Sequence, residues 1–458
     1  MSRSSPCASP RSARARVLLS LGFAVALLAP LPAIAETAAP KLLPPDELRR
    51  LSAATPATSS APVQVLLEDS RLEYDAQGRV TRTMRLVYRI DSSDRNDDWA
   101  SVSRWWQPWL QERPTLIAQV MDTNGKLQAL DSAQLTESTP DSDRPDTWRD
   151  MRKLSAPLPG VRTGCVIEEL SVLRDTVVSV PAGSTTRWMV GRTVPIARFR
   201  LTVDLPEGVA LQHRIEKFSG LEIERTRENG RLSVLFSANQ VPVATSEGNG
   251  EPGDVPRVPT LTLSTGTSWE RVASAYRALV EPRLAQDPGH AAVTAFAAEV
   301  RKAAGPRATR EALVEAANRQ LHPRVRYTGV ELGAAAILPA YPSVTLERGY
   351  GDCKDKSFLL LAVLRELGVP AELALLLTGP GQDVHPELPG WGMFDHAIVR
   401  VPGKTDLWVD ATDATRRAGQ LPGMDQDRLA LPFAKAAASW CAFPSRRLRT
   451  TGCASGVR

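Results

Sequence analysis

The sequence predicts an α+β fold: a β-rich N-terminal domain, then a domain in which a helix packs on an antiparallel sheet. Two observations lead there. Up to about residue 240, short stretches alternate apolar and polar residues between turn signals, and long helical periodicity is scarce before about residue 265. Beyond that point helical and strand patterns intermix. A chain of 458 residues can form two or three cores.

Residues 1–35 read as a signal peptide. Arg3, Arg11, Arg14 and Arg16 precede an apolar run over 17–28, Pro30 and Pro32 break it, and Ala33-Ile34-Ala35 has the small-x-small cleavage pattern. Cleavage is expected between Ala35 and Glu36, giving a periplasmic or secreted protein with no stable membrane span. An uncleaved anchor over 17–35 is the competing reading, which the two prolines and the cleavage pattern disfavour. The four arginines also account for most of the formal charge of +5. The other 52 basic residues face 51 acidic ones, so the body has no electrostatic footprint for nucleic acid.

Of the five cysteines, Cys7 leaves with the signal. Export makes a Cys441–Cys453 disulfide feasible. Cys165 and Cys353 fall in different predicted domains, so no bridge between them is expected. No cysteine pair has zinc-site spacing, and the five histidines are scattered.

Residues 36–60, rich in Ala, Pro, Ser and Thr, read as a flexible lead-in. The β-rich domain is placed at 61–240. A hairpin forms from 71–74 and 83–90 around Asp75 and Gly78, with further strands at 166–173, 199–205, 211–215 and 232–236. Residues 241–260, with Ser, Asn, Gly and Pro, mark a linker. In the second domain, 261–425, Ser268 caps a helix running to about 279, and helices follow at 291–303 and 309–321. The tail, 426–458, has no clear pattern, as a truncated or frame-shifted end would.

The chemistry concentrates in three blocks. Gly351-Asp352-Cys353-Lys354-Asp355-Lys356 opens a helix whose apolar face includes Leu360, Leu361 and Leu364 and which Gly368 and Pro370 stop. Cys353 therefore sits at a helix N-terminus, where free N–H groups and the helix dipole favour a thiolate, the form that attacks a carbonyl. Gly351 is expected to allow a sharp turn before the helix. Downstream, 394–401 and 407–412 read as strands around a turn at Pro402-Gly403. Centring that turn on Gly403 sets His396 opposite Asp410, with Cβ atoms about 5 Å apart. The carboxylate can then fix the imidazole, which takes the thiol proton. Asp395 and Asp413 are the competing carboxylates. Asp395 alternates to the other strand face, and Asp413 lies past the strand end.

These blocks, Gly-Asp-Cys-Lys-Asp-Lys, Phe-Asp-His-Ala-Ile-Val at 394–399 and Trp-Val-Asp-Ala-Thr at 408–412, resemble the transglutaminase-like superfamily. Tyr327-Thr328-Gly329-Val330-Glu331-Leu332-Gly333, Leu158-Pro159-Gly160-Val161 and Val166-Ile167-Glu168 resemble its bacterial branch with an N-terminal DUF3857 domain. The resemblance spans roughly residues 60–425. It implies a papain-like transglutaminase core and a catalytic triad of Cys353, His396 and Asp410, working without a metal or organic cofactor on a peptide or protein substrate. Acyl transfer from peptide or glutamine-type amides to water is the expected reaction. A cross-linking transglutaminase and a non-catalytic envelope scaffold are the alternatives.

Overall fold

The computed structural model describes residues 40–56, 61–92, 99–139, 147–243, 258–379 and 382–433, and the backbone of 441–442. The signal segment 1–35 and the Cys441–Cys453 pairing lie outside the described side chains. All described residues belong to one compact unit, and none of their helices is long and apolar enough to cross a membrane.

The fold is α+β and mainly sheet. An eight-stranded sheet dominates the N-terminal region. Its strands run Glu222–Glu228, Arg231–Val241, Ile196–Pro206, Val63–Tyr74, Val80–Ile90, Val166–Arg174, Thr115–Met121, Leu127–Ala129 across the sheet. Only Val63–Tyr74 against Ile196–Pro206 is parallel. The hairpin at its centre closes with Tyr74 opposite Val80, and Asp75 accepts from the backbone of Gln77 and Arg79 within the turn. Val63, Val65, Tyr88, Phe199, Leu201, Val203 and Phe236 are fully buried on the core side, which is the alternation that made these strands readable.

Two expected boundaries shift. Within the lead-in 36–60, helix α1 forms at Pro45–Ala53, with a proline in its first turn and Asp46 and Glu47 beside it. Leu48 and Leu51 bury against Leu66, Val87 and Val166 of the large sheet, so apolar docking orders a segment that composition marked as flexible. At the other junction, residues 244–257 lie outside the described set. Residues 260–264, however, form a buried strand, Thr260–Ser264, between Thr185–Met189 and Gln212–Glu216. The β-rich region therefore reclaims a strand on the far side of the linker, and a cut at 260 would split a sheet.

The helical layer comprises α2 (Trp269–Ala285), α3 (His290–Ala304), α4 (Arg310–Leu321), the short α5 (Pro342–Arg348) and α6 (Cys353–Glu366). Ser268 caps α2 and Thr309 caps α4 through their hydroxyls. Helix α6 is buried from Lys354 to Leu364. It packs through Phe358, Leu361 and Leu364 among Val293, Val314, Ala397 and Val399. Behind it lies a five-stranded antiparallel sheet, ordered Leu407–Val409, His396–Val401, Glu372–Leu376, Leu429–Pro432, Cys441–Ala442. The last two strands come from the segment read as a patternless tail. Ala430 and Leu431 are fully buried, so that segment completes the sheet.

Candidate active site

Helix α6 begins at Cys353. Asp352 is its N-cap and accepts from the Asp355 N–H, while the Asp355 side chain accepts from the Asp352 N–H, forming a capping box. Asp352 also accepts from Val330 N and pairs with Lys354; Asp355 accepts from Ala340 N at 2.8 Å and pairs with Arg348. The helix start is thus fixed from three sides. The expected role of Gly351 needs correcting. The left-handed turn is made by Gly349 at φ 70°, whereas a Cβ on Gly351 would stand 2.7 Å from Asp355 Cβ. Glycine is required at 351 for close approach, not for a turn.

One turn into α6, the buried Ser357 hydroxyl donates to Ala397 O at 2.9 Å. That bond ties the helix to the residue after His396. Lys356 Nζ donates to Val325 O at 2.7 Å, and burial pushes its ammonium down to about 8.

His396 opens its strand. Its ladder partners on Leu407–Val409 differ from the expected register: Val399 pairs with Val409 and Val401 with Leu407, and Asp410 lies beyond the last pair. The turn takes up Pro402 to Asp406, so the register shifts by two residues. A two-residue shift keeps strand parity, and the side chains still meet, with His396 Nε2 3.3 Å from Asp410 Oδ2. The imidazole N–H is not aligned on an acceptor, so this contact is an ion pair more than a linear hydrogen bond. The other Asp410 oxygen accepts from Thr412 N at 2.8 Å and Thr412 Oγ1 at 2.7 Å.

Cys353 lies beside His396. Burial would push the imidazole down; contacts with Asp410 and Cys353 outweigh it and hold His396 well above its ordinary value. For Asp410, burial pushing up is outweighed by His396 and Thr412, which hold it below the usual carboxylate range. His396 and Asp410 thus meet from a strand and a strand end, and Cys353 at the helix start is near enough to bear on His396. Asp395 accepts from Thr378 N and Oγ1. Asp413 accepts from Thr415 N and Oγ1. Both competing carboxylates are therefore engaged elsewhere, Asp413 in a local turn and Asp395 with Thr378, 17 residues earlier in the chain. Cys165 and Cys353 are both free.

Sequence reasoning missed Asp425. It is fully buried and its Oδ2 lies 3.9 Å from His396 Nε2. His396, Asp410 and Asp425 each offer one donor atom, all within 4.8 Å of one another, and among the described residues this is where a metal ion would find three ligands together. The ion pair already uses two of those atoms. No periodicity or spacing marks Asp425 in the sequence, because it sits in a loop.

An aromatic cluster surrounds the sulfur side. Tyr276 stacks on Trp391 with centroids 4.9 Å apart and donates to Ile337 O at 2.8 Å. Burial and the nearby Cys353 push its phenol far up. The β-rich region holds the adjoining loop by its backbone: Thr185 N donates to Trp391 O at 2.7 Å and Trp391 N to Gly183 O at 2.9 Å. On the other flank Thr147–Arg149 pairs in parallel with Gly329–Glu331, the segment whose Val330 N–H reaches the helix cap.

Residues 76–245 match the family model DUF3857, described as a domain of unknown function with a solved structure. No curated protein matches the chain. Among solved structures it is similar to a Parabacteroides distasonis ATCC 8503 protein described as a "putative protease". The identity is 16%, the TM-score 0.66, and the match covers 83% of this chain and 72% of that one. At that identity the likeness is one of fold. An M1 zinc metallopeptidase from Deinococcus radiodurans matches at 15% identity over 44% of this chain and 42% of its own. Its TM-score of 0.24 carries no argument. The chain thus carries a match to the DUF3857 model over residues 76–245, on a fold like that of the Parabacteroides distasonis protein.

Proposed function

We propose that the protein is an exported transglutaminase-like cysteine hydrolase with Cys353 as nucleophile, His396 as proton carrier and Asp410 as the group that orients His396. The observation that carries this reading is the meeting of Cys353, first residue of a capped and buried helix, with an imidazole whose other side rests on Asp410 at 3.3 Å. Helix α6 on an antiparallel sheet bearing His396 suits the papain-like core that the sequence motifs imply.

In the reaction, Cys353 gives its proton to His396 before substrate attack, and sulfur adds to the amide carbonyl from the resulting pair. The carbonyl oxygen gains the negative charge, for which the Cys353 N–H, lacking an intrahelical acceptor, is a suitable donor. The imidazolium returns its proton to the nitrogen as the C–N bond breaks, leaving a thioester and a free amine. Water, deprotonated by His396, adds to the thioester and expels the thiolate as the acid forms.

Water is the acceptor favoured here. Shielding a thioester needs a dry approach, and the residues that would build one are engaged in packing. Trp391 stacks on Tyr276 and contacts Phe394, and Met393 buries against Leu377 and Val384. A cavity of about 850 Å³ opens beside Trp391, lined also by Thr185, Arg187, Thr265 and Gln382. The test supplies a glutamine-bearing protein with a labelled primary amine and follows ammonia, new peptide termini and amine incorporation, with Cys353→Ala as the blank. Hydrolysis outpacing incorporation at millimolar amine is expected. Incorporation in excess assigns a cross-linking enzyme, and no Cys353-dependent product moves the assignment to a scaffold.

A further inference from the structure

We propose that Asp425 is a positioning residue of this site: a buried, neutral carboxylic acid that donates its O–H to the Asp410 carboxylate and so sets the orientation in which Asp410 meets His396. The inference rests on the reading of Cys353, His396 and Asp410 given above.

The placement of Asp425 carries it. The residue has no exposed surface. No hydrogen-bond donor among the described residues reaches either of its side-chain oxygens. A carboxylate so placed would be a buried charge without a donor, which is strongly disfavoured. It is also next to a second carboxylate, Asp410, that Thr412 and His396 keep ionised. Two like charges at one site do not both ionise. Of the two, Asp410 owns the donors, so the proton resides on Asp425. The acceptor facing that proton is Asp410, one of whose oxygens lies within 4.8 Å of an Asp425 oxygen. Burial pushes the Asp425 carboxyl up to about 7, His396 pulls against it, and Asp410 and Asp395 add to it.

The loop is built to hold this geometry. Leu421 buries with Ile398 and Trp408, and the Asp425 N–H donates to Pro422 O at 3.1 Å. On the other side Arg428, itself buried, donates to the carbonyls of Met424, Thr378 and Gly379. Asp425 is thus pinned from both ends beneath Asp410. Thr412 grips one Asp410 oxygen. A donor from Asp425 on the other side leaves the carboxylate a single orientation, the one that faces His396 Nε2.

The test uses the whole protein and iodoacetamide, reading the alkylation rate of Cys353 by peptide mapping at pH 6, below the Asp425 titration at about 7. Four forms are compared: wild type, D425N, D425L and D410N. Asparagine keeps a neutral N–H donor toward Asp410; leucine fills similar space without one. The expected result is D425N within about 3-fold of wild type and D425L slowed at least about 10-fold, with D410N slowed as much or more. A structural role alone would not let asparagine rescue what leucine loses. Wild-type rates in D425L, or D425N as slow as D425L, overturn the proposal. If D425L is unchanged while D410N is slow, only this inference fails. If D410N is unchanged as well, the reading of the site fails with it. Should D425L not fold, D425N alone decides: a loss of 10-fold or more overturns a neutral-donor role.

Discussion

His396 Nε2 stands 3.3 Å from Asp410 Oδ2, although the ladder between their strands ends one residue before Asp410, at the Val399–Val409 pair. The contact depends on side chains bridging a diagonal, with Thr412 bracing the far oxygen of Asp410. Replacing Asp410 by Asn removes the charge that holds the imidazole while keeping the volume. Cys353-dependent turnover is expected to fall by roughly 10²–10⁴-fold, with melting temperature within a few degrees of wild type. Turnover within 3-fold of wild type would show that Asp410 does not support His396.

Burial alone would lower the His396 titration, yet Asp410 and Cys353 hold it well above 6.5. A histidine raised on folding adds stability below its unfolded value. That contribution fades as pH rises through the folded value. Titration of ¹⁵N-histidine-labelled protein by NMR should place the His396 midpoint above 6.5, and D410N should bring it down. A wild-type midpoint at or below 6.5 contradicts this.

Asp352 serves the α6 cap and the buried Lys354 at once, both residues being nearly inaccessible. Asp352→Ala removes the cap, worth about 1 kcal/mol, and strands a buried ammonium, worth about 3–5 kcal/mol. Urea unfolding should show a loss of about 4–6 kcal/mol. Asp352→Asn, which can still cap, should lose less. Equal losses would mean that the ion pair, and not the cap, dominates.

Gly266 abuts the carbonyl of Pro389, and a Cβ there would overlap that oxygen. Its neighbour Ser264 hydrogen bonds to the same carbonyl. Gly266→Ala should push the 389–394 loop away from the β-rich region, cost about 1–3 kcal/mol, and slow Cys353 alkylation through displaced Trp391 and Phe394. Unchanged stability and reactivity would show that the β-rich region does not position this loop.

Much of this was legible in the chain. The apolar face through Leu364 and the stop at Gly368 and Pro370 announced α6 and put Cys353 at its start, because periodicity and helix stops need no tertiary knowledge; the capping box from Asp352 to Asp355 went unread. The His396 strand was equally readable from Ala397-Ile398-Val399. Its register was not, because the number of residues absorbed between Pro402 and Asp406 depends on backbone geometry that residue types do not fix. Helix α1 was hidden by an Ala- and Pro-rich composition. Pro45 with Asp46 and Glu47 was the signal available, and Leu48 and Leu51 supply the docking that orders it. Asp425 was out of reach, since only the long-range anchoring of Leu421 and Arg428 brings it to His396.

The claim at the centre is that Cys353 forms an acyl thioester. Rapid acid quenching of wild-type protein during turnover of an activated peptide ester, followed by intact-mass measurement and peptide mapping, tests it directly. One acyl group is expected on Cys353, removed by hydroxylamine and absent from Cys353→Ala, with accumulation changed in His396→Ala. An acyl group mapped to another residue, or full turnover by Cys353→Ala, would contradict it.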